Sequence, residues 1–351
     1  VTAHITCPSF FTNHQPPTTN HIFYSMQLVL HALAAFWRGS LGSEYAIVSA
    51  TLVRATPLIF TGLAVAIAFR AGVFNIGADG QLLAGATAAA ALGWLGAAWP
   101  ASAQRFVGLP LAIVVGAICG AGWAGIAAWL RRRFGVLEVI STLMLNFIAL
   151  DAVAYLVRGP LQEPSRVYPQ TAELPASWHL PKLIPASRLH VGFALAVLTA
   201  LVAAWVVRAT ASGFRLRAIG ANVRAAASAG RIDVGRVSTR VFLVSGAMAG
   251  AAGAVEVTGV TFSLYDNISP GYGYTAIAVA LLAGLDPLWV IASSILFGAL
   301  EAGAAGMQRD AGVPAVVATL VEAVIVLLVL AAQAERPRRR STAVTATAER
   351  T

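Results

Sequence analysis

Asp79, Glu138, Asp151, Glu256, Glu301 and Glu322, with Arg54, are ionisable residues that interrupt long apolar runs in this sequence. At the centre of a membrane helix such a charge costs about 2.5–3.5 kcal/mol on insertion scales. Each must therefore face other protein or a wet cavity, unless a nearby helix end lets it reach the interface. Two roles are open to them: lining a polar path or ion site, or pairing between helices. Glu138 and Asp151, near the ends of their run, fit the interfacial alternative, whereas Asp79 and Glu256 lie deeper among small residues.

Residues 72–81, GVFNIGADGQ, gather three glycines with Asn75, Asp79 and Gln81 at the start of an apolar run. That composition predicts a broken helix whose freed backbone groups line a cavity, although a turn in a soluble protein has a similar make-up. Intramembrane polarity makes Asn75, Asp79, Gln81, Asn146 and Glu256 the candidate path-lining or gate residues. No catalytic set can be assembled. The sequence has no G-x-x-x-x-G-K-[ST] phosphate loop, no HExxH and no GxSxG. The last histidine, His190, lies at the edge of an apolar run, so histidine chemistry in the core is excluded. His4, His14 and His21 are irregularly spaced in a proline-rich segment, and Cys7 and Cys119 form neither a disulfide framework nor a metal-ligand pattern. No metal or cofactor is expected.

A second informative stretch is 213–236, GFRLRAIGANVRAAASAGRIDVGR, which is basic, alanine-rich and too polar to span a membrane. Asn222 is placed to cap a short helix starting near Val223. Such a helix between two spans could dock a protein partner. A solvated basic loop lying on anionic lipid has the same composition.

The elements that must position these residues follow from composition. The chain has 351 residues, 58% of them hydrophobic and 11% charged, and its mean hydropathy is +0.75. A soluble domain carries about 25% charged residues. The formal net charge of +9 resides in arginines clustered between apolar runs, a topology signal more than a nucleic-acid surface. Runs near the roughly 20 residues needed to cross a bilayer occur at 46–69, 75–98, 107–130, 138–157, 191–207, 241–264, 288–306 and 315–334. Residues 22–37 and 273–285 suffice only for half-spans or steeply packed segments. The expectation is an all-α, polytopic membrane bundle of about 8–10 transmembrane helices with one broken or short span. It comprises a disordered tail (1–21), a membrane domain (22–334) and a basic tail (335–351). Arginines in 131–133, in 208–240 and after 334 predict that these segments are cytoplasmic, and the proline-rich 158–190 is expected outside. Gly116-xxx-Gly120 and Gly246-xxx-Gly250 predict close helix packing, and Pro57 a kink.

LVRATPLIFTGLAVAIAFRAGVFNIGADGQ (52–81), LEVISTLMLNFIAL (137–150), RAIGANVRAAASAG (217–230) and SPGYGYTAIAVALLAGLDPL (269–288) resemble permease subunits of bacterial ABC importers. The group is that of branched-chain amino acid, simple sugar and purine nucleoside permeases. The likeness runs from about 36 to 334, and NIGADGQ and VISTLMLN are most similar to the longer of two nucleoside permeases. The resemblance implies about ten helices in a bacterial inner membrane and a second permease subunit. It also implies cytoplasmic ATP-binding subunits that hydrolyse ATP and an extracytoplasmic substrate-binding protein. By position, 217–230 look like the coupling helix, with Arg217, Gly220, Asn222 and Arg224 serving contact with the ATPase. Three departures stand out. The first membrane helix of the family should lie upstream of 36, where most of the sequence is polar; Asp79 replaces the usual Glu; and Arg231 lengthens the coupling loop by about one residue. The rival reading from another class is a secondary transporter or channel acting alone, its buried acids serving as cation sites.

Overall fold

The computed structural model of the chain describes residues 18–228 and 232–314, with scattered positions from 316 to 331. Residues 1–17, the arginine at 231 and the tail from 335 lie outside the described residues, as does most of the expected span 315–334. Among the described residues there are helices and turns but no strands.

Among the described residues, six helical stretches are long and apolar enough to cross a membrane. The first passes from a π turn, Ala46–Thr51, into α2 (Leu52–Arg70), after α1 (Thr18–Ser40). Helix α3 (Ala78–Leu95) follows a seven-residue non-helical link. A three-residue α4 (Ala101–Ala103) runs through a second π turn into α5 (Leu109–Phe134), and α6 (Glu138–Arg158) returns. After a long connection come α7 (Val191–Ala209), the short α8 (Ala211–Ala221) and α9 (Val223–Ser228), and then α10 (Val234–Glu256). The last pair is α11 (Tyr272–Leu282) and α12 (Pro287–Ala311).

The bundle departs from the sequence expectations in three places. The apolar patch at 22–37 is part of a 23-residue helix beginning at Thr18, so residues 18–21 are helical and not a tail. That helix packs on α12, where Gly39 meets Ala302 and Gly306. The start of α10 lies seven residues before 241, because Asp233 caps it by accepting from the Arg236 N–H at 2.9 Å. A helix turn needs backbone satisfaction, not an apolar surface. Helix α2, where a kink is expected, carries Pro57 inside its length without a break. Its irregularity falls upstream in the π turn, a wider turn of the kind that relieves a proline ring pressing on the preceding turn. Helix α3 fits its span in length, but Asp79 and Gln81 in its first turn leave it short of the apolarity of the six.

Helices α2 and α10 form the interior: 83% and 72% of their most apolar windows are buried, against 33% for α5, α6 and α7. The two glycine motifs meet each other. A methyl built on Gly120 would overlap the Gly246 carbonyl, one on Gly250 would overlap the Gly116 carbonyl, and Gly85 of α3 abuts Gly250 as well. Backbones therefore touch where α3, α5 and α10 cross, as small-xxx-small pairing requires.

Both ends of the bundle are sorted by composition. At one end Arg70 donates to the Leu285 carbonyl at 3.0 Å, Arg208 pairs with Asp286, Arg131 pairs with Glu138, and Gly220 packs on the Arg70 carbonyl. At the other end the 159–190 connection is tied down. Thr171 N–H donates to Leu264 at 2.8 Å, Leu174 N–H to Phe262 at 2.8 Å and Leu180 N–H to Thr258 at 2.8 Å, while Arg158 pairs with Asp266. Trp178, fully buried, plugs this end beneath Gly96 and Gly108. In the same connection Glu163 accepts from Ser165, Gln170 and the Tyr168 N–H, which holds its carboxyl below the usual range.

Candidate functional site

The link between α2 and α3 is built by one stripe of α6. Glu138, Thr142 and Asn146 are spaced by four and so share a face. Glu138 accepts from the Phe74 N–H at 2.9 Å, and Thr142 Oγ1 from the Ile76 N–H at 3.3 Å. Asn146 accepts from the Gly80 N–H at 2.8 Å, and its amide donates to the Ile76 carbonyl at 2.9 Å and to the Tyr274 hydroxyl at 3.2 Å. In the irregular backbone of 72–77 the N–H groups of Phe74, Ile76 and Gly77 are thus satisfied by side chains and those of Gly72, Val73 and Asn75 by nearby carbonyls, and such internal pairing is the condition for breaking a helix inside a membrane. Asn75 and Gln81 complete the fastening with reciprocal amide bonds of 3.0 and 2.9 Å. Asn75 also donates to Ser245 Oγ at 2.8 Å, and Ser245 in turn to the Ala64 carbonyl at 2.8 Å, so α2, α3 and α10 are joined through one amide.

Asp79 lies where two helix beginnings meet. Its carboxylate accepts from Ser269 Oγ at 2.7 Å and from the Gly273 N–H at 3.0 Å. Ser269 Oγ also accepts from the N–H groups of Gly271 and Tyr272, at 3.3 and 3.2 Å, at the start of α11. One carboxylate therefore bridges the positive ends of α3 and α11. Gly273 packs directly on the Asp79 backbone, a contact that a Cβ would prevent. Helix α11 has 11 residues, roughly 16 Å, half of what a crossing needs. Asn146, eight residues into α6, lies roughly 12 Å from that helix's start. These lengths place the junction near mid-membrane depth.

Other predicted residues fall elsewhere. Glu256 is buried, 5% exposed, near the opposite end of α10. The structure does not join Glu256 to the Asn75–Asp79–Gln81–Asn146 cluster by any described hydrogen bond. Asp151 is exposed on α6, and Glu301 is half-buried on α12. Glu322 lies outside the described residues. Ser245, Ser269, Gly273 and Tyr274 are cluster members that sequence reasoning did not single out; the one local signal was Ser-Pro-Gly ahead of a short apolar run.

At the arginine-rich end, α8 and α9 form a bent pair. Asn222 lies between them and caps α9: its side-chain oxygen accepts from the N–H groups of Arg224 and Ala225, both at 3.0 Å. Gly220 has no room for a side chain against the Arg70 carbonyl, so α8 rests on the end of α2. Arg217 turns back and donates to the Val207 carbonyl at 2.6 Å. Arg224 and Val223 are exposed. Of the four coupling candidates, three build the pair and Arg224 is on its open surface. Nearby, partial burial alone would raise the Asp286 carboxyl. The hydrogen bonds from Arg208 at 2.8 and 2.9 Å, with one from the Leu288 N–H, outweigh it and hold Asp286 below the usual range.

A multi-pass helical bundle with a mid-depth half-helix and a short exposed helix pair at its basic end defines a membrane transport subunit. The chain belongs to the family described as the branched-chain amino acid transport system / permease component, whose model matches residues 47–332. It is 38% identical over 312 residues to the guanosine ABC transporter permease protein NupP of Bacillus subtilis, covering 88% of this chain and 87% of that one. It is 37% identical over 293 residues to the glucose ABC transporter permease protein TsgB13 of Haloferax volcanii, covering 80% and 75%. It is 31% identical over 304 residues to the nucleoside ABC transporter permease protein NupB of Lactococcus lactis, covering 83% and 80%. Each of the two bacteria also has a second permease named for the same substrate, 26% identical to this chain.

Proposed function

We propose that this chain is the larger permease subunit of an ABC importer and passes nucleosides across a bacterial inner membrane by alternating access. The carrying observation is the satisfied break in the bundle at mid depth. There Asp79 ties the first turns of α3 and α11 together, the arrangement that discontinuous transporter helices use to build a path. In this reading Asn75, Asp79, Gln81 and Asn146 form a gate, and Glu256 lines the path toward the opposite end. The arginine-rich end and the C-terminus face the cytoplasm. The α8–α9 pair docks on a separate ATP-binding subunit, whose ATP-driven closure moves it as a rigid body. A second permease completes the path and an extracytoplasmic binding protein delivers the solute. Paired permeases among the relatives support the first partner; the other partners follow from the family.

A sugar is the second reading for the substrate, favoured by the nearly equal identity to the glucose permease. Uptake of labelled guanosine and glucose in cells lacking this gene, with and without complementation, tests both. Restored guanosine uptake that ATP depletion stops and an uncoupler spares supports the proposal. Restored glucose uptake alone moves the substrate to sugars, and sensitivity to the uncoupler alone supports a secondary transporter. For docking, Arg224→Glu is expected to abolish co-purification of the ATP-binding subunit while leaving the chain in the membrane. Intact association after the reversal removes Arg224 from the contact.

A further inference from the structure

A groove of about 400 Å3 opens between α7, α8 and α10 at the arginine-rich end, and the proposed transport cycle assigns no ligand to it. Its α7 wall is Thr199, Val202, Ala203 and Val206, a single face over two turns, roughly 10 Å long. On α10 it is walled by Val241, Val244 and Met248, and its basic end is formed by Arg215 of α8 and Arg240 of α10. Val202 and Val244 are exposed, as are both arginines. Among the described residues neither arginine pairs with a carboxylate, although Arg131, Arg158, Arg208, Arg236 and Arg309 all do.

We propose that this groove binds an anionic phospholipid of the adjoining leaflet, with one acyl chain along α7 and α10 and the headgroup phosphate between Arg215 and Arg240. Charge placement carries the argument. Arg215 follows α7 by six residues and Arg240 is six residues into α10, which sets both guanidinium groups at headgroup depth, with the apolar walls running on into the hydrocarbon. Guanidinium forks donate two parallel hydrogen bonds to a phosphate, and basic pockets between membrane helices favour anionic headgroups. A polar peptide would leave the valine walls unmatched, and a purely apolar chain would leave two charges unpaired. A lipid satisfies both, and it would tether α8, a member of the helix pair described above, to α10. The inference needs only that the chain spans a membrane, so it stands apart from the transport reading.

The test is native mass spectrometry of the full chain in detergent, with phosphatidylglycerol or phosphatidylethanolamine of matched acyl chains added. Selective retention of phosphatidylglycerol is expected, weakened about thirtyfold in Arg215→Gln/Arg240→Gln, since each basic residue near such a surface contributes about fivefold. Val244→Trp, which fills the groove and keeps both arginines, should weaken retention too; circular dichroism checks that each variant is folded, and the arginine pair alone suffices if the tryptophan variant is not. Equal retention of the two lipids overturns the proposal. So does an equal loss in Arg133→Gln, which lies at the same end but outside the groove, because that would mean surface charge alone. Displacement by inorganic phosphate would reduce the site to an anion contact, and exclusion of lipid by a co-purified second permease would make the groove a protein interface.

Discussion

Replacing Asp79 with alanine is expected to lower solute uptake roughly ten- to hundredfold at unchanged membrane expression. Two donors, Ser269 Oγ and the Gly273 N–H, lose their acceptor at once. A buried donor left unsatisfied costs about 1–3 kcal/mol, and each 1.4 kcal/mol is about a factor of ten in an equilibrium. The penalty falls on the α3–α11 junction rather than on the whole bundle, so it shifts the balance between conformations that open and close it. Asp79→Asn keeps an acceptor oxygen but removes the charge that faces two helix beginnings, and should recover only part of the activity. Asp79→Glu restores the carboxylate and should recover most of it. The series is read by labelled-solute uptake normalised to the protein in the membrane fraction. Full activity in the alanine variant would remove Asp79 from the gate.

Gly250→Leu should sharply reduce the folded protein in the membrane fraction and destabilise what remains. Overpacking a core commonly costs about 1–3 kcal/mol when side chains can give way. Here the obstacle is backbone: the Gly116 carbonyl and the Gly120 Cα, the latter 2.8 Å from a built Cβ. The crossing of α3, α5 and α10 would have to separate, and α10 is one of the two interior helices. Gly122→Leu is the control, because Gly122 lies on α5 too and has nothing within 4 Å of a built Cβ. Thermal stability in detergent should drop for the first and hold for the second. Equal stability of the two variants would mean that the crossing does not depend on the glycine contact.

These two sites differ in how much of them the sequence disclosed. Both glycine motifs were legible, since spacing by four puts small residues on one face; that they face each other was not, because nothing local says which helices are neighbours. The short helix capped by Asn222 was legible for the same local reason. The break at 72–81 was visible as a run of glycines and amides, but its fastenings were not. Asn146 reaches Gly80 across 66 residues, and Asp79 reaches Gly273 across 194. Glu138 shows the limit well. Its position near a helix end suggested an interfacial charge, and it does pair with Arg131, yet its other oxygen holds the Phe74 N–H. Helix ends were misjudged wherever apolarity stood in for hydrogen bonding, as at Thr18–Ser40 and at the Asp233 cap of α10.

The most direct test of the account is transport by the purified assembly, this chain with the second permease and ATP-binding subunit proposed for it in proteoliposomes, the proposed binding protein added on the outer side. ATP enclosed in the lumen should drive accumulation of labelled guanosine, a non-hydrolysable analogue should not, and an imposed proton gradient without ATP should do nothing. Accumulation driven by the proton gradient with no ATP, by this chain alone, would contradict the account and make the buried acids cation sites of a secondary transporter.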